Sequence, residues 1–137
     1  MPQPLRSFLA VLAGFAVMFF LVIACSLAAV HLMHLKSGHP TPGYLALNIV
    51  DSTIAAVLGG WIAARLAGSK PLHHGLALAM ILAVIGLIGL IRPTPSQPYS
   101  YQLFLAIATP FAVLAGAAVA RATLARSARN PPSAPRA

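Results

Sequence analysis

The sequence predicts an all-α membrane protein: four transmembrane helices in an antiparallel bundle, with both termini on the cytoplasmic side. Three observations predict it. Of 137 residues, 59% are hydrophobic and only 7% are charged, against about 25% charged in a soluble globular domain. So few charges cannot cover a water-facing surface, and lipid must solvate much of it. The charges also leave long apolar intervals. No Lys, Arg, Asp or Glu falls between Arg6 and Lys36, between Lys70 and Arg92, or between Arg92 and Arg121, and Asp51 alone interrupts the stretch from Lys36 to Arg65. Each interval holds the ~20 residues a helix needs to cross ~30 Å of hydrocarbon. Finally, the basic residues are sorted between the interval ends. With the N-terminus inside, Arg6, Arg65, Lys70, Arg121, Arg126, Arg129 and Arg136 lie on the cytoplasmic side and only Lys36 and Arg92 outside, the bias that sets membrane orientation.

The first helix is expected at about 7–33. A competing reading takes Val22-Ile23-Ala24-Cys25 as a lipoprotein cleavage pattern, with Arg6 as the positive n-region. The apolar run continues through Ser26 to Val30, longer than the ~7–15 residues of a signal's apolar region, and this favours a retained span. Cys25 is then a small apolar filler. As the only cysteine it excludes an intramolecular disulfide and a Cys-based metal cluster.

The second helix is expected at about 44–66, after a connector whose Gly38, Pro40, Pro42 and Gly43 cannot sustain a helix. It carries two rows of small residues at four-residue spacing: Ala56, Gly60, Ala64 and Gly68, and beside them Ala55, Gly59, Ala63 and Ala67. In lipid, helices associate through such close-approach faces. The third helix, at about 72–91, has Gly86 and Gly89. The fourth, at about 101–122, repeats the pattern with Ala108, Ala112, Gly116 and Ala120 and has Pro110 at mid-span, where a kink is expected. These faces are expected to pack within the bundle, with self-association as the alternative. Tyr44, Tyr99 and Tyr101 fall at the outer interface and Trp61 near the inner one, where amphipathic rings are favoured. The four-helix domain is thus expected over 1–126. The Pro-, Ser- and Arg-rich stretch 127–137 is expected to be a disordered basic tail that touches anionic lipid or docks a partner.

Asp51, the only acid, is the most informative residue. A carboxylate about two turns into a spanning helix must face the bundle or take up a proton. Asn48 lies one turn earlier, and a hairpin turning around residues 36–43 would bring His31 level with both. His31, Asn48 and Asp51 are therefore the candidate intramembrane polar site, either proton- or ion-coordinating or a plain interhelical hydrogen bond. His31 and His34 share a helical face, a weak metal or haem signal without a further ligand type. His73 and His74 lie at the opposite membrane face. No cofactor is expected.

The segment Gly59-Gly60-Trp61-Ile62-Ala63-Ala64-Arg65-Leu66-Ala67-Gly68 resembles the second helix of small four-span bacterial inner-membrane proteins of unknown function. These run Gly-Gly-aromatic-x-Ala-Ala-Arg-x-Ala-Gly and then a Pro and His, here Pro71-Leu72-His73-His74. A proline-containing outer loop, here Pro93 to Pro98, and a proline in the fourth helix, here Pro110, extend the similarity over roughly residues 44 to 122. Asp51 is not part of the pattern. The resemblance implies the topology and a bacterial inner membrane, and it implies no activity.

No second carboxylate supports acid–base pairing, no Gly-rich loop cradles phosphate, and no nucleophile-elbow serine occurs. The leading expectation is a non-enzymatic membrane component or accessory subunit. The alternatives are a small proton- or ion-coupled transporter or channel using Asp51, and a metal- or haem-binding redox protein using His31 and His34. The lipid bilayer is the expected partner, with a membrane protein or a second copy open. Nucleic acid is excluded, because the basic residues sit at span ends and form no soluble face.

Overall fold

A computed structural model describes residues 3–34, 40–68 and 70–129. The apolar intervals become four helices, α1 (Gln3–Leu32), α2 (Pro42–Ala67), α3 (Pro71–Ile91) and α4 (Tyr99–Arg129), with no strand among the described residues. All four are long and apolar enough to cross a membrane. The shortest, α3, has 21 residues and is therefore about 32 Å long at ~1.5 Å per residue.

Proline sets three helix starts. Pro4 lies in the first turn of α1, and α2 and α3 begin on Pro42 and Pro71, where the missing N–H has no intrahelical partner to lose. Thr41 caps α2 by accepting a hydrogen bond from the Tyr44 N–H at 3.3 Å. α4 extends past the expected end at Ala122. The residues from Arg121 to Arg129 are mostly Ala, Arg and Leu, which favour helix, so the charges end the apolar interval without ending the helix. The expected disordered tail therefore starts too early: 127–129 are helical, and 130–137 lie outside the described residues.

The small-residue rows of α2 divide between two neighbours. On one side Gly59 and Ala63 meet Gly14 of α1, so closely that a β-carbon on Gly14 would sit 2.5 Å from the Gly59 carbonyl oxygen. On the other side a β-carbon on Gly60 would strike the Val113 carbonyl of α4, and one on Gly116 would strike the Val57 carbonyl of α2. Backbones approach to contact at both crossings, which only small residues permit. Ala64, Ala117 and Ala120 close the α2–α4 seam toward the chain ends, with Trp61 and Leu72 packed on them. α3 completes the bundle against α4, with Gly75 on Ala117 and Gly86 on Ala106. α2 thus touches all three other helices, whereas α1 and α4 do not touch.

These contacts fix the directions. Arg6 near the start of α1 donates from Nε to the Leu66 carbonyl at the end of α2, at 3.1 Å. The Arg65 guanidinium lies 5.0 Å from the centre of the Trp61 ring and donates to Thr123 Oγ1 of α4 at 3.3 Å. Successive helices therefore run antiparallel, and the start of α1 and the end of α4 share one end of the bundle. That end holds Arg6, Arg65, Lys70, Arg121, Arg126 and Arg129. Two of its arginines hold helix ends together, and a cation on the last carbonyls of α2 also suits the helix dipole. Gly68, with φ +74°, turns the chain there, and the Arg6 guanidinium occupies the space a β-carbon would need.

Candidate functional site

The opposite end is built differently. Its α3–α4 connector is rich in proline, so it has few N–H groups to satisfy. Gln102 of α4 ties the connector down: its Oε1 accepts from the Thr94 N–H at 3.0 Å, and its Nε2 donates to the carbonyls of Thr94 and Gln97, each at 3.1 Å. Just inside this loop the helices are joined by side chains and no longer by backbones.

Asn48 is the hub. Its Nδ2 donates to Ser26 Oγ of α1 at 3.0 Å. Its Oδ1 accepts from the Tyr101 hydroxyl of α4 and from Ser52 Oγ one turn along α2, at 3.5 Å. One amide thereby links α1, α2 and α4, including the two helices that make no contact of their own. Thr53 turns back on its own helix and donates to the Ile49 carbonyl at 2.7 Å.

Asp51 lies one turn beyond Asn48 and takes no part in that set. It is partly exposed, yet its Oδ2 is buried and has no hydrogen-bond partner. It lines a groove of about 240 Å³ between α1 and α2, together with Cys25, Ser26, Leu32, Tyr44 and Leu47. A second cavity, of about 340 Å³, lies on the other side of Asn48 and reaches Ser52, Gly86, Tyr101 and Gln102. Asn48 lines both. The Ala106 carbonyl, relieved of its helical partner by Pro110, belongs to one of the four α4 residues that line this second cavity, with Tyr101, Gln102 and Leu105.

Of the candidate trio, Asn48 and Asp51 share the groove, while His31 is exposed and does not line it. The α1 partner of Asn48 is Ser26. The reason is register: pairing 26 with 48 centres the hairpin near position 37, whereas pairing 31 with 48 would centre it near position 40. Sequence reasoning passed over Ser26 and Tyr101. Ser26 is the one hydroxyl in the apolar run from Phe8 to Val30, which is a usable signal. Tyr101 reads like the interfacial Tyr99, yet Tyr101 is 8% exposed and Tyr99 56%. His34 is exposed and has φ +49°. Among the described residues no three His, Cys, Asp or Glu side chains gather as metal ligands would. Gly59, Gly60, Ala64 and Gly116 are buried in the seams described above, and Gly68 ends α2.

Fold and cluster together define a class: a four-helix protein whose helices can each span a membrane, with a side-chain hydrogen-bond cluster just inside one end and the Arg6 and Arg65 bonds at the other. Comparison with family models, curated proteins and solved structures gives no match to this chain.

Proposed function

We propose that the chain is a multi-pass, non-enzymatic component of a bacterial cytoplasmic membrane, with both termini inside, and that it acts as an accessory subunit. The observation that supports this most is the closure of the bundle's middle. Backbone contact at Gly14–Gly59, Gly60–Val113 and Gly116–Val57 leaves the middle of the bundle to glycine, alanine and a few aliphatic side chains, and no described polar side chain is fully buried. A protein packed in this way acts through what its surface touches. The grouping of Arg6, Arg65, Lys70, Arg121, Arg126 and Arg129 at the end that holds the termini supports the orientation. Purification from the source membrane in mild detergent, with mass spectrometry of bound proteins, is the test. A partner at fixed stoichiometry is the expected result, and a chain that purifies alone or only with itself would overturn the subunit reading.

One observation favours a second reading. The unpartnered Oδ2 of Asp51 suits a small proton- or ion-coupled transporter, since intramembrane acids commonly mark such pathways. Reconstituted flux should then vanish in Asp51→Asn; flux that survives the change would make Asp51 structural.

A further inference from the structure

The hydroxyls of Ser26, Ser52, Thr53 and Tyr101 around Asn48 are all engaged. Asn48 bonds Ser26, Ser52 and Tyr101, and Thr53 bonds its own helix. Among the described residues only Asp51 Oδ2 is both buried and without a partner. A buried carboxylate oxygen in that condition is costly, so the site calls for a donor. A proton meets half of the demand. It removes the charge but adds no hydrogen bond from a neighbouring group, and Oδ2 has none among the described residues. A group that brings its own N–H and its own positive charge meets all of it.

The groove around Asp51 restricts what that group is attached to. Its volume of about 240 Å³ exceeds the ~150 Å³ that suffices for benzene. Ala28, Ala29, Leu32 and Leu47 give it apolar walls. Tyr44 also lines it, and an aromatic face is a second surface that attracts a cation. An anion would be repelled by the only acid in the chain. A hard divalent metal needs six or more oxygen ligands or a retained water shell, and an apolar groove with one carboxylate provides neither. We propose that the α1–α2 groove binds an organic ammonium with a small aryl or alkyl body, its charge on Asp51 and its body on Ala28, Leu32 and Leu47. This asks only for binding, and it stands whether or not the protein has a partner or carries flux.

The test uses the full chain in phosphatidylcholine nanodiscs, a lipid without a primary amine, titrated with benzylamine by calorimetry. Saturable binding is expected, at least tenfold weaker in Asp51→Asn. Ala28→Phe, at an exposed wall position, fills the groove without touching the carboxylate and should weaken binding at least as much. It carries the test if Asp51→Asn does not fold. Benzyl alcohol, the same body without the charge, should bind at least tenfold more weakly. Absence of saturable benzylamine binding, equal binding by both variants, or equal binding of the alcohol would each overturn the proposal. Nanodiscs containing phosphatidylethanolamine then identify the source. Reduced benzylamine affinity supports a lipid headgroup amine as the occupant, and unchanged affinity supports a free amine.

Discussion

The two halves of α2 join their neighbours by opposite means. From Ala55 to Ala67 the helix is a strip of glycine and alanine, held by backbones brought into contact with α1 on one side and α4 on the other. From Asn48 to Thr53 it is polar, held by side-chain hydrogen bonds that reach across wider gaps, with a cavity on each side of Asn48. The first half tolerates no added atoms and leaves no space. The second half leaves space and depends on a few atoms being present. Steric and hydrogen-bonding substitutions should therefore act in opposite halves.

The largest effect is expected where backbones touch. Gly60→Leu drives a side chain into the Val113 carbonyl and should cost about 3 kcal/mol or more, seen as a loss of folded protein in a detergent melt; unchanged melting would break the distinction between the halves. Asn48→Ala removes two interhelical bonds, to Ser26 and Tyr101, and at ~0.6 kcal/mol for each in lipid it should cost roughly 1 kcal/mol, measured by the same melt. Tyr101→Phe deletes one of those bonds and should cost ~0.6 kcal/mol; in a double-mutant cycle its effect should disappear once Asn48 is Ala. The smallest expected change is a gain. A β-carbon on Gly89 would meet nothing within 4 Å, so Gly89→Ala should stabilise α3 by about 0.5 kcal/mol through reduced backbone freedom. A loss there would mean that the cavity behind Gly89 is needed open.

The helices themselves were legible because charge spacing reports directly on what can sit in hydrocarbon. The rows of α2 were legible as small faces, but the sequence does not say which row takes which neighbour. That choice depends on how α1 and α4 are placed around α2, and it appears only as Gly14 against Gly59 and Val113 against Gly60. The hairpin register was beyond reach for a related reason. His31 and Ser26 both lie near the end of α1, and the connector's sequence does not dictate which of them stands level with Asn48. Aromatic rings at a helix start are ambiguous as well: Tyr99 and Tyr101 have the same chemistry and neighbouring positions, and only the packing of α4 against α2 turns one of them inward.

The contact pattern of α2 has a consequence for how the chain is made. The row that meets α1 finds its partner as soon as α2 leaves the ribosome, because α1 already exists. The row that meets α4 must wait until the last helix is synthesised, and through that interval Ala56, Gly60 and Ala64 form an unfilled seat for any helix with a smooth face. The order of synthesis thus makes the α1–α2 hairpin the first stable object and α4 the closing piece. In a nascent chain stopped after α3, Gly14→Leu should open the hairpin by striking the Gly59 carbonyl, seen as greater protease sensitivity; equal sensitivity with and without the change would mean that the hairpin needs α4 before it can close.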